Sequence, residues 1–87
     1  MKSATLPSFW ENYQLLDSQT KQRARKTYYL WRDNPFYPSL HFKCINREES
    51  IWSVRISLNY RALGILEKDT VTWFWIGSHQ KYEEFYS

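Results

Sequence analysis

Between Ile51 and Leu66 the chain reads IWSVRISLNYRALGIL, two short runs rich in branched and aromatic residues with a break near Leu58-Asn59. In the first run Trp52, Val54 and Ile56 alternate with Ser53, Arg55 and Ser57, the period of two that sends successive side chains to opposite faces of a strand. The pattern predicts a half-buried antiparallel hairpin. Arg55 and Arg61 then become charges fixed on a sheet and not mobile charges on a loop. A guanidinium held this way suits a phosphate, because its planar fork pairs bidentately and keeps its proton near neutral pH.

Upstream of the hairpin the spacing turns helical. Met1 to Leu6 reads as an edge strand, and Pro7-Ser8 opens a helix, with Ser8 and Glu11 in the positions of a capping box. Phe9, Tyr13 and Leu16 follow at helical spacing. Asp17 or Ser18 ends that helix and caps a second, which runs from about Ser18 to Asp33. Thr20, Ala24, Tyr28 and Trp31 line one stripe of the second helix, while Lys21, Arg23, Arg25, Lys26 and Arg32 lie largely off it. This most positive segment is either a solvated outer face or an electrostatic approach surface for RNA.

Asn34-Pro35 stops the helix, and Pro38 marks a second turn. Leu40, Phe42 and Cys44 then alternate with His41, Lys43 and Ile45, a further strand, before the polar loop Asn46 to Ser50. Beyond the hairpin, Glu67-Lys68-Asp69 turns into a strand from Thr70 to Ile76. Val71, Trp73 and Trp75 are expected on one face and Thr72, Phe74 and Ile76 on the other, so the strand is interior. Gly77 ends it, and His79 to Ser87 is a polar and aromatic tail. The fold class is α+β: one domain over residues 1–87, with two N-terminal helices packed on a roughly four-stranded antiparallel sheet. The sheet's opposite face is expected to be open, at least in part, to a partner.

A net charge of +3 and a pI near 9.1 suit an anionic partner, either nucleic acid or an acidic protein segment. The single cysteine, Cys44, excludes an internal disulfide. With no leader-like start and no long apolar run, a cytoplasmic protein without membrane contact is expected. Gly64 and Gly77 are the only glycines, too few for a phosphate-cradling loop. His41, Cys44 and His79 lack a fourth ligand, so no metal or other cofactor is expected and Cys44 reads as a buried thiol.

Lys43, Arg55, Arg61, His79, Lys81, Tyr82 and Tyr86 remain, all on the sheet or just beyond its last strand. Cutting an RNA backbone without metal takes a group to accept the 2′-hydroxyl proton, a donor to the leaving oxygen, and cations on the charged phosphorane. His79 or a tyrosine suits the first two, Arg55 and Arg61 the third. Spacing alone equally allows the arginines to form surface ion pairs with Glu48, Glu49 or Glu67.

The run NPFYPSLHFKC, the hairpin WSVRISLNYRALGIL and the ending WFWIGSHQKY together resemble the RelE/ParE toxin superfamily over about Pro7 to Tyr82. RelE-like members fold as helices on an antiparallel sheet and cut mRNA in the ribosomal decoding site without metal. ParE-like members share the fold and inhibit DNA gyrase. By this resemblance Arg61 matches the strand arginine on the scissile phosphate and Arg55 a basic position on the preceding strand. His79 matches the basic residue at the sheet's end, and Tyr82 or Tyr86 the C-terminal tyrosine. Ser53 stands where some relatives carry another basic residue, and Pro38-Ser39 where some carry a glutamate base.

The resemblance implies the toxin of a type II toxin-antitoxin system, a ribosome-dependent mRNA endonuclease. Its catalytic residues would be Arg61, His79 and Tyr82, and its phosphate-binding residues Arg55, Lys43 and Lys81. The implied partners are a cognate acidic antitoxin and mRNA in the decoding site. A gyrase inhibitor and a non-catalytic interaction module on the same fold are the alternatives.

Overall fold

In the computed structural model, which describes the backbone of residues 1–86 and the side chains of residues 1–84, nine elements follow one another. They are β1 (Lys2–Thr5), α1 (Pro7–Gln14), α2 (Ser18–Asp33), a 3-10 turn (Pro38–Leu40), β2 (Lys43–Asn46), β3 (Ile51–Ser57), β4 (Tyr60–Glu67), β5 (Thr70–Ser78) and α3 (His79–Tyr86). The sheet order is β1-β5-β4-β3-β2. Neighbours are antiparallel except β1, which runs parallel to β5 from Lys2 opposite Thr70 to Thr5 opposite Trp73. The α+β class therefore holds, with a five-stranded mixed sheet in place of the expected four antiparallel strands. The first residues supply the extra strand, tied in where Lys2 N–H donates to the Asp69 carbonyl and Leu6 N–H to that of Trp73.

The register of the sheet shifts at three places, in β2 between Cys44 and Asn46 and once each in the β3–β4 and β4–β5 ladders, and the last two present a carbonyl to a helix. In β3 the register shifts between Arg55 and Ser57, and the Ile56 carbonyl accepts bonds from Arg23 Nε at 3.2 Å and Thr27 Oγ1 at 3.4 Å, both on α2. In β5 the pairing passes from Trp73 opposite Gly64 to Trp75 opposite Leu63, which leaves Phe74 as the extra residue. Its carbonyl accepts the Ser8 hydroxyl of α1 at 2.7 Å. Ser8 is thus used for docking and not for the expected capping box; Leu6 caps α1 without a side-chain bond.

The β5 bulge also overturns the expected facing of that strand. Because one residue is looped out, Ile76 returns to the core face with Val71 and Trp73, and Trp75 turns to the other side. The core lies between the helices and this face, where Trp31, Phe42 and Trp73 meet edge to face or tilted with ring centroids 5.3–6.4 Å apart. The helical stripe runs through Ala24, Thr27 and Trp31; Thr27, through its bond to the bulge, takes the place expected for Tyr28, which is exposed.

Three local expectations are corrected. The strand predicted to begin at Leu40 begins at Lys43, because Pro38 favours a 3-10 turn and His41 leaves it in the left-handed region at φ 46°. Leu40 and Phe42 are buried, but Cys44, beyond them on the edge strand, is exposed and not a buried thiol. Gly77 does not end β5, which runs to Ser78; a Cβ at Gly77 would lie 2.5 Å from the Trp75 ring. The tail is helical as α3, with Ser87 and the Tyr86 side chain outside the described residues. Among the described residues, no helix is long and apolar enough to cross a membrane.

Asp17 caps α2 as expected, its Oδ1 accepting Thr20 N–H at 2.7 Å. Thr20, through its hydroxyl first and its backbone second, holds the Asp17 carboxyl below its ordinary pKa. A lowered folded-state pKa gives stability that is present above the unfolded value, about 3.9, and lost as pH falls through the folded one. Asp17→Asn retains a capping oxygen but no charge. Melting curves between pH 3 and pH 6 are expected to show a smaller acid-dependent loss in this variant than in the parent chain.

Candidate functional site

Arg55 on β3 and Arg61 on β4 are direct cross-strand partners. Their side chains leave the same face of the sheet, opposite the main core, because Val54 and Ala62, the neighbouring pair, both belong to that core. Like charges placed opposite each other on a sheet repel. Among the described residues neither arginine ion-pairs with Glu48, Glu49, Glu67 or any other carboxylate, so no carboxylate among them offsets this repulsion. An anion between the two guanidiniums would relieve it.

The surroundings of the two arginines differ. Arg61 is half-buried and its Nη1 donates to the carbonyls of Ser57 at 2.7 Å, Tyr60 at 3.0 Å and Leu58 at 3.4 Å, clasping the β3–β4 turn. Burial first, and the Arg55 charge second, lower its pKa, while Tyr82 acts in the opposite direction. The group still remains a cation at neutral pH. Arg55, also half-buried, places Nη1 3.4 Å from Nε2 of His41.

The turn that Arg61 clasps also fixes the start of α3, since the Asn59 carbonyl accepts His79 N–H at 2.6 Å. The Ser78 hydroxyl then accepts Lys81 N–H at 3.2 Å. The His79 ring stacks on Tyr82 at 5.5 Å, and its Nε2 lies 3.0 Å from Oε1 of Glu83. An ionised carboxylate can only accept, so in this contact Nε2 is the donor, while Nδ1 is buried without a hydrogen-bond partner among the described residues.

Of the residues singled out in the sequence, Arg55, Arg61, His79 and Tyr82 thus gather at one end of β3, β4 and β5. Lys43 lies opposite Ser53 and shares the face of Arg55, one strand further out and exposed. Lys81 is exposed in the first turn of α3, and its ammonium makes no bond among the described residues. The Tyr86 side chain lies outside them.

The opposite face is less open than expected. Ile51, Ser53 and Leu63 are buried there, and α3 packs back against β4 and β5. Sequence reasoning missed two contributors, His41 beside Arg55 and Glu83 beside His79. The four-residue spacing of His79 and Glu83 would have revealed the second, had the tail been assigned as a helix.

A family model described as a ParE-like toxin domain matches residues 18–84. No curated protein sequence matches the chain. Among solved structures, a chain of the RelB-RelE antitoxin-toxin complex from Methanococcus jannaschii superposes with a TM-score of 0.76 at 12% identity, covering 97% of this chain and 99% of that one. YafQ from Escherichia coli gives 0.73 at 9% identity, with 93% and 96% covered. The YoeB/ParE toxin from Agrobacterium tumefaciens gives 0.70 at 18% identity, with 91% and 99% covered. At these identities the likeness is one of fold.

Proposed function

Because the chain belongs to the ParE-like toxin family, within the RelE/ParE superfamily, we propose that it is the toxin of a toxin-antitoxin system and cuts mRNA on the ribosome. The observation that supports cleavage is the Arg55–Arg61 pair, which no carboxylate of the described residues offsets, beside the His79–Tyr82 stack. In this reading the 2′-oxygen attacks the adjacent phosphorus, the bond to the 5′-oxygen breaks, and a 2′,3′-cyclic phosphate is left. Arg61 and Arg55 stabilise the charge that builds on the phosphorane; Tyr82, and His79 once its ring turns out of its contact with Glu83 to expose a nitrogen, take up and return the proton. Lys43 and Lys81 contact flanking phosphates. An acidic antitoxin, the counterpart of RelB in the archaeal complex, covers the arginines and is captured quickly through complementary charge.

The match to a ParE-like domain favours a second reading, a protein that inhibits DNA gyrase without chemistry of its own. Mapping of transcript 5′ ends after brief induction separates the two. New ends within translated regions, with no DNA-damage response, are expected. Intact transcripts with a DNA-damage response would support gyrase inhibition instead.

A further inference from the structure

A cleft of about 520 Å³ opens between α2, the 3-10 turn and the end of β3. Arg23, Lys26, His41 and Arg55 line it, with Ser39 and Ser57. A second hollow, of about 410 Å³, shares Arg23, Lys26 and Ser57 with the first and continues past Asn59 toward Gln19. Through these shared residues the two adjoin as a trough along α2 and the β3–β4 turn, and among the described residues no carboxylate lines either part. Arg23 is oriented by its bond to the Ile56 carbonyl, and Arg55 by His41. The Lys26 ammonium makes no bond among the described residues.

We propose that this trough binds the phosphodiester backbone of the RNA strand on one side of the cleavage site. Arg55 belongs both to the trough and to the pair with Arg61, so a strand whose phosphate lies between the two arginines is led directly into it. An elongated hollow edged by cations suits a polymer with evenly spaced charges better than one small anion. The rings that line the two hollows are His41 in the first and Tyr60 in the second, against three cations, so the trough reads the backbone charge more than the bases. The inference rests on the RNA-directed reading above and extends it to a surface built largely by α2.

The test is fluorescence anisotropy of the purified chain with a labelled ten-residue uridine oligonucleotide over a series of salt concentrations. Lys26→Gln and Arg23→Gln are each expected to weaken binding roughly three- to tenfold and to flatten the dependence of log Kd on log salt by about 0.7. Lys26→Gln disturbs no bond among the described residues, so its effect stands even if loss of the Arg23 contact loosens the fold. Arg25→Gln, whose guanidinium faces the Tyr13 hydroxyl at 2.7 Å and lines no part of the trough, is the control and should change neither quantity.

Equal losses for Arg25→Gln and Lys26→Gln would overturn the proposal in favour of a diffuse positive surface. So would a Lys26→Gln loss confined to a labelled ten-residue glutamate peptide, which would make the trough a protein-docking surface. Arg61→Ala separates this proposal from the catalytic one. Binding that depends on Lys26 should survive in that variant. If the unaltered chain binds the oligonucleotide through Lys26 but never cuts transcripts, the trough stands and the nuclease reading falls.

Discussion

Arg61→Ala should lower the rate of mRNA cleavage about 10²- to 10³-fold, the scale for removing one preorganised donor from a developing oxyanion, and should abolish growth arrest on expression. Two features place the effect there. Arg61 faces Arg55 across the β3–β4 ladder with no carboxylate of the described residues between them, and it holds the turn carbonyls through Nη1. Nη2 and Nε, which make no hydrogen bond among the described residues, face a phosphate in this account. Since the clasp also steadies the turn, circular dichroism and the thermal midpoint must accompany the assay. Arg61→Lys keeps a charge but loses the fork, and should recover only a small part of the activity. A folded Arg61→Ala chain that still arrests growth would remove Arg61 from the reaction.

Trp31→Ala should cost about 3–5 kcal/mol, a large share of the roughly 5–15 kcal/mol that holds a domain of this size together. The Trp31 side chain is among the largest fully buried ones, only 1% exposed, and joins α2 to the sheet through ring contacts with Phe42 and Trp73. Its indole Nε1 has no hydrogen-bond partner among the described residues. Trp31→Phe keeps most of the ring contact and deletes that orphan donor, so it should lose much less. Urea unfolding checks both: the midpoint falls steeply for Ala and slightly for Phe, with the slope unchanged. A loss below about 1 kcal/mol for Trp31→Ala would mean that the helices are not held to the sheet through this ring.

Where the local code was strong, the fold was legible in the residues. The alternation through Ile51–Ser57 and the break at Leu58-Asn59 gave the hairpin, and with it the same-face placement of Arg55 and Arg61. Asp17 and Asn34-Pro35 bounded α2 correctly because a cap and a proline act within a few residues. The bulges at Ile56 and Phe74 were not legible. They are set by helices far away in the chain, whose Ser8, Arg23 and Thr27 take the looped-out carbonyls, and periodicity cannot register such contacts. The same limit hid the trough: Arg23 and Lys26 appeared as two charges on a basic helix, and only the packing of α2 on β3 sets them beside Arg55 and His41.

The Arg55–Arg61 pair acting on one phosphate is the claim on which the function rests. Cleavage of end-labelled mRNA on programmed ribosomes tests it most directly, with purified protein carrying Arg55→Ala, Arg61→Ala or both. Two cations on a shared phosphate predict that each single variant is severely impaired and that the double variant is little worse than Arg61→Ala, because residues acting as a unit are not additive. Undiminished cleavage by the double variant, at the same sites, would contradict the account.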